Sequence, residues 1–158
     1  MIEPDLKLVT RSFTEAGADF VLIGGFAVIA HQVMRTTEDC DFLIPDDEDN
    51  DSKVLSALEA LGAVPRNGQP LTLSLISERE SLHLESPTSG QLDLLRGGLA
   101  PLDFASVSSA AIKATLSEVD FKVASLASLV AFKRLAGRPQ DLADLAQLEA
   151  IHGPLPDA

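Results

Sequence analysis

Three acidic residues carry the chemistry that this sequence can do. Asp39 and Asp41 lie two apart in Glu38-Asp39-Cys40-Asp41-Phe42-Leu43-Ile44, a segment that reads as a strand stopped by Pro45. Alternate side chains of a strand point to opposite faces. Cys40, Phe42 and Ile44 therefore enter a core, and Asp39, Asp41 and Leu43 share the other face. The two acidic Cα atoms are then about 6.6–6.8 Å apart, from the strand rise of about 3.3–3.4 Å per residue. Two carboxylates brought to about 4 Å repel by about 4 kcal/mol at an effective dielectric of 20. A magnesium ion, which prefers one or two carboxylates plus phosphate oxygens, reverses that sign. Asp93, between Leu92 and Leu94 that face away from it, adds a third acid if its strand lies beside that of Asp39. Three such acids can hold two ions about 3.5–4 Å apart, the arrangement that serves phosphoryl transfer. Ordinary alternatives stay open: Asp-x-Asp is also the polar face of a half-exposed strand, and Asp93 is also a charge on an edge strand.

The elements that must position these acids can be read around them. Phe20–Ile23 is a short apolar run closed by Gly24-Gly25, a buried strand that turns into an apolar helix over Phe26–Met34. Glycine lets backbone approach a ligand closely, and the amides of a helix start attract phosphate; a tight strand-to-helix turn needs the same residues for packing alone. Arg35-Thr36-Thr37 then leads back to the acidic strand. His31 and Arg35, four apart, share a helix face on this reading, and Arg35 either orients the carboxylates or a phosphate or packs beside the acids. Before this unit, Asp5–Ala16 has helical spacing and ends at Gly17. After it, Asp46–Asp51 is a dense acidic loop, a solvated turn leading into a helix over Ser52–Leu61.

Leu71–Ile76, Ser81–Glu85 and Gln91–Leu95 are spaced as three strands of an antiparallel meander. Val119–Ala124 is one more strand. A helix follows from Ser125 to Ala136, and Pro139 opens another at its first turn. Lys133, Arg134 and Arg138 reach a phosphate-bearing ligand or pair with Asp141 and Asp144. His31, His83 and His152 lack zinc-ligand spacing, and Cys40 is an inert core thiol. The order of elements predicts an α+β fold: a mixed sheet covered by helices. Residues 1–124 form its core, and 125–152 a C-terminal helical pair packed on that core within one compact domain.

Val21-Leu22-Ile23-Gly24-Gly25-Phe26-Ala27-Val28-Ile29-Ala30-His31, followed by Arg35-Thr36-Thr37-Glu38-Asp39-Cys40-Asp41-Phe42-Leu43-Ile44, closely resembles the signature of the DNA polymerase β-like nucleotidyltransferases. Within them it looks most like the small AbiEii-type and minimal branch. Gln91-Leu92-Asp93-Leu94-Leu95 is similar to that family's third-carboxylate strand, and 131–145 to its closing helix pair. The resemblance implies a palm-like fold and transfer of a nucleoside monophosphate from a triphosphate to an acceptor hydroxyl, with a toxin–antitoxin association as one setting. It implies catalytic and metal-binding roles for Asp39, Asp41 and Asp93 with two Mg2+ ions, Mn2+ being an alternative. It implies nucleotide contacts from Gly24, Gly25, Arg35, Thr37 and Lys133. Phe26 stands where many active members have a small Ser. A module that keeps the fold, binds nucleotide or a partner protein, and does no chemistry is the competing reading. The acceptor is left open among a tRNA end, a protein side chain and a small molecule.

Composition narrows the partners. The chain has 158 residues with 24 acids against 12 Lys and Arg, a formal charge of −12. Binding along duplex DNA needs a basic face, and none is visible. Seven Phe with no Trp or Tyr do not make a stacking platform for single strands. The single cysteine suits a reducing cytosol, and Met1–Asp5 lacks the start of a signal peptide. The longest apolar run, 20–30, is too short for a bilayer, so a cytoplasmic protein away from membranes is expected.

Overall fold

The computed structural model describes residues 2–157. Helix α1 (Leu6–Glu15) leads into β1 (Val21–Ile23), α2 (Gly24–Ala30) and β2 (Asp39–Ile44). Next come α3 (Glu48–Ala60), β3 (Val64–Pro65), α4 (Leu73–Glu78) and the hairpin of β4 (Ser81–Ser86) with β5 (Gly90–Arg96). A small ribbon of β6 (Gly98–Leu99) and β7 (Leu102–Asp103) precedes α5 (Phe104–Ala110). A second hairpin, β8 (Ile112–Leu116) with β9 (Val119–Val123), leads to the closing helices α6 (Leu126–Ala136) and α7 (Pro139–His152). Seven strands form one mixed sheet in the order β3-β4-β5-β2-β1-β9-β8. The β2–β5 and β1–β9 pairs are parallel, and the others are antiparallel.

Strand alternation divides the sheet as its residues predict. Cys40, Phe42, Ile44, Leu92 and Leu94 enter the main core, where the rings of Phe13, Phe20 and Phe42 pack with centroids 4.5–5.5 Å apart. The opposite face carries a smaller apolar cluster of Val21, Leu43, Val107 and Ala124, with Ile23, Leu95 and Phe132 against it. Leu43 shares a face with Asp39 and Asp41, so this face is apolar at one end and acidic at the other. The apolar end is covered; the acidic end opens into a cavity.

Several elements differ from the sequence expectation. Leu71–Ile76 is not a strand: Thr72 caps α4 by accepting from the Leu75 amide at 3.1 Å, and Ile76 turns inward. The alternation Leu71-Thr72-Leu73-Ser74-Leu75 has the period of a strand, and the threonine cap starts a helix in its place. The meander is therefore β3-β4-β5. The helix expected over Phe26–Met34 stops at Ala30. Gln32 has a φ of 78°, and the ring of His31 is tied through Nε2 to the Ala124 carbonyl at 2.8 Å. Arg35 consequently lies beyond the helix and shares no helix face with His31.

The acidic run 46–51 is only partly a solvated turn. Asp47 caps α3, and the run forms its first turn. Asn50 and Asp51 are buried. Asp51 accepts from Arg96 Nε and Nη2 at 3.0 and 2.7 Å and from Ser77 Oγ at 2.9 Å. Strands β3 and β8, helix α5 and the small ribbon had no counterpart in the sequence reading. No helix among the described residues is long and apolar enough to cross a membrane.

Candidate active site

The parallel pairing of β2 with β5 sets Asp41 beside Asp93 and Asp39 beside Gln91. Like-facing positions of the two strands thus bring the three acids together. One carboxylate oxygen each of Asp39, Asp41 and Asp93 lies within 4.8 Å of the other two. The predicted cluster is formed, on a single face.

Two glycines make room for it. Gly24 has a φ of 73°, and a Cβ there would overlap the Asp41 carboxylate; a Cβ on Gly25 would overlap the Thr37 side chain. Close approach and a left-handed backbone both demand glycine at position 24. The pair opens α2 beside the acids, Thr37 Oγ1 donates to the Asp39 carbonyl at 3.3 Å, and Phe26 leans on the main core. A cavity of about 520 Å³ lies over this surface, lined by both glycines, the three acids and residues of α6 and α7.

Crowding the acids has an electrostatic cost. Burial raises the Asp41 carboxyl to about 8, with the charges of Asp39 and Asp93 adding to it and Lys133 opposing. Burial, then the hydrogen bond and charge of Asp93, raise Asp39 to about 6. Cys40, buried between the two acids, has its thiol pushed far up by burial and then by Asp41 and Asp39, as an inert core thiol should. Hard oxygen donors that resist ionising side by side, at the wall of a cavity, suit a divalent cation.

The basic residues are arranged less simply. Lys133, expected to face a nucleotide, is buried, and its Nζ is 3.0 Å from both Asp141 Oδ1 and Asp144 Oδ2. Arg35 Nη1 is 2.7 Å from Asp144 Oδ2, and Arg138 Nε is 2.7 Å from Asp141 Oδ2. Burial alone would raise Asp141, yet hydrogen bonds from Arg138 and Lys133 hold it below the usual carboxylate range. All three cations line the cavity while paired.

On the other flank, Asp93 Oδ1 accepts from His83 Nδ1 at 2.8 Å and from Arg66 Nη2, whose Nη1 reaches Gln91 Oε1 at 2.9 Å. Arg66 went unnoticed in the sequence, and His83 was considered only as a zinc ligand. The signal was present: a hairpin turning at 87–89 sets His83 opposite Asp93.

The architecture recurs in solved structures, among them an antibiotic adenylyltransferase and a nucleotidyltransferase-like protein. The lincosamide antibiotic adenylyltransferase LnuA, lincomycin-bound, aligns with a TM-score of 0.67 at 15% identity over 94% of this chain and 99% of its own. ANT(2")-Ia in complex with adenylyl-2"-tobramycin aligns at 0.63 and 14% identity, over 92% of this chain and 86% of its own. An antigenic nucleotidyltransferase-like protein from Paracoccidioides brasiliensis aligns at 0.57 and 19% identity, over 96% and 78%. This is the nucleotidyltransferase fold. No protein-family model matches the sequence, and no curated protein matches it by sequence. The nucleotidyltransferase neighbours do not single out the AbiEii-type branch.

Proposed function

We propose that the chain transfers a nucleoside monophosphate from a nucleoside triphosphate to an acceptor hydroxyl. The observation that carries this reading is the meeting of Asp39, Asp41 and Asp93 within 4.8 Å of one another at the cavity wall. These three carboxylates would hold Mg2+, two ions or one, with Mn2+ as a substitute. Bound cations would relieve the carboxylate repulsion and neutralise charge on the triphosphate. Backbone amides at Gly24 and Gly25 would seat phosphate oxygens, with Thr37 fixing the approach of β2. Arg35 and Lys133 would turn from Asp144 toward the triphosphate. The acceptor oxygen would bond to the α-phosphorus as the α–β bridge breaks and pyrophosphate leaves with the electron pair. Asp93, held by His83 and Arg66, would help draw off the hydroxyl proton. Catalysis of this kind is positioning and charge neutralisation.

A small-molecule acceptor is the favoured class, since LnuA and ANT(2")-Ia were captured with such ligands. The toxin–antitoxin setting and the AbiEii-type branch rest on the sequence resemblance alone. A second reading, a module that binds nucleotide without turnover, draws on one observation: Arg35, Lys133 and Arg138 are all paired with Asp141 or Asp144.

The test is transfer of label from α-labelled triphosphates with Mg2+ or Mn2+, in wild-type protein and in Asp41→Asn. In the metal-free chain Asp41 keeps its proton near neutrality, so an amide of the same shape preserves the fold. Transfer should fall at least about 100-fold, the scale of losing one electrostatic stabiliser. Undiminished transfer by Asp41→Asn overturns the assignment; calorimetric binding of Mg-ATP or Mg-CTP without any transfer supports the second reading.

A further inference from the structure

Strand order gives the acid cluster two flanks. β1 and the start of α2 lie on one side, and β4 and β3 on the other. If the triphosphate rests on the glycine side, in-line attack brings the acceptor hydroxyl in over Asp93, from the β4 side. A second cavity of about 330 Å³ lies there, and Ser81 and His83 are walls common to both cavities. Its remaining lining is Pro65, Arg66, Asn67, Arg79 and Leu82.

The charge in this second cavity is unusual for the molecule. The chain has twice as many acids as bases, yet no Asp or Glu is among the lining residues. Arg66 is engaged with Asp93 and Gln91. Arg79 makes one hydrogen bond, from Nη2 to Gln69 Oε1 at 3.2 Å, and among the described residues no carboxylate lies within ion-pairing distance of it. On the glycine side, by contrast, Arg35, Lys133 and Arg138 each have an acid partner.

We propose that this second cavity is the acceptor pocket, and that it takes a small hydroxyl compound bearing a phosphate or carboxylate, which Arg79 holds. The inference deepens the nucleotidyl-transfer reading and rests on it. A planar guanidinium matches either anion with two parallel N–H donors. An acceptor rich in ammonium groups would set its charges against Arg79, the lining cation without a carboxylate partner among the described residues. A long polyanion would need the basic face that this chain lacks, whereas a space of this size fits a small molecule.

The test begins with binding. Arginine Nε resonances are followed by NMR while inorganic phosphate, or separately malonate, is added to wild-type and Arg79→Ala protein holding a non-hydrolysable triphosphate analogue. Arg79 is exposed with one side-chain bond, so its removal leaves the fold intact. Phosphate or malonate should shift the Arg79 signal, and Arg79→Ala should weaken that binding about tenfold while the analogue binds as before. Preference between the two anions tells a phosphate ester from a carboxylate. Turnover follows with glycerol 3-phosphate, glycerate, glycerol and tobramycin. An anionic acceptor should be labelled best, and Arg79→Ala should raise its KM about tenfold with kcat kept. Anion shifts confined to the glycine side, a loss of analogue affinity in Arg79→Ala, or better labelling of glycerol or tobramycin each overturn the inference alone. A chain that binds no triphosphate analogue defeats the nucleotidyl-transfer reading and the acceptor role with it.

Discussion

Asp41 is where burial and charge conflict most sharply. Its carboxyl is raised to about 8 and that of Asp39 to about 6, both above the ordinary value of 3.8. The folded, metal-free chain therefore holds more protons than the unfolded chain between about pH 4 and pH 8. Stability contributed by these two groups falls as pH rises through that window. Divalent cations held there, as proposed, would compete with the protons and reverse the trend. In chelator, the thermal midpoint should fall from pH 5 to pH 8 by about 2–4 °C for each kcal/mol lost. Millimolar Mg2+ should restore more of it at pH 8 than at pH 5. Asp41→Asn should flatten the fall in chelator and reduce the Mg2+ gain. A midpoint in Asp41→Asn that tracks wild type at every pH would show that other groups govern the profile.

At the scale of elements, α3 and β5 are joined by a buried ion pair away from the acid cluster. Asp51, with a side chain 0% exposed, faces the guanidinium of Arg96, which also reaches Asp46 at 2.7 Å. Removing one partner of a buried pair costs about 3–5 kcal/mol when the other charge is left without a partner, and less here because Arg96 keeps Asp46. Asp51→Ala should lose about 1–3 kcal/mol in urea denaturation, the cost of leaving Arg96 and Ser77 donors unsatisfied, while keeping the wild-type Mg2+ affinity; a loss below about 1 kcal/mol would mean that Asp46 and water satisfy Arg96 in its place.

The same pair shows why parts of the fold were hard to read. Asp51 looks like its neighbours in the acidic run, and only its distant partners Arg96 and Ser77 distinguish it. Elements with strong period, such as α1, β2 and β5, were legible to within a residue or two. The glycine turn and the acid-bearing strands were legible because strand alternation is local. Helix α4 was misread because Leu71-Thr72-Leu73-Ser74-Leu75 alternates apolar and polar residues with the period of a strand. Strand β8 was missed because most of it is exposed at the sheet edge and its turn uses Ser117 and Glu118, both at positive φ, where Asn-Gly would have been recognised. Pairing across the β4–β5 hairpin, which joins His83 to Asp93, depends on register, and the sequence shows register only once the turn is known.

For the molecule as a whole, the closing helices would decide, under the proposed nucleotidyl transfer, whether the cavity receives a triphosphate. α6 brings Lys133, α7 brings Asp141 and Asp144, and the connection between α2 and β2 brings Arg35, so one acidic residue, Asp144, ties together three separate segments. Asp144 is 1% exposed and accepts from Gln140 as well. As arranged, it holds two cations that a triphosphate would otherwise draw. Asp144→Asn keeps the shape and removes the competing charge. Its stability should drop, because Lys133 and Arg35 lose a buried partner. Its affinity for a non-hydrolysable triphosphate should rise about three- to tenfold, the gain of releasing cations toward the ligand at about 1.4 kcal/mol per factor of ten. Calorimetry at a series of salt concentrations, where the gain should shrink as ionic strength rises, measures both the size and the electrostatic origin of the change. Equal or weaker binding in Asp144→Asn would mean that Arg35 and Lys133 hold the C-terminal helices to the sheet and take no part in seating phosphate.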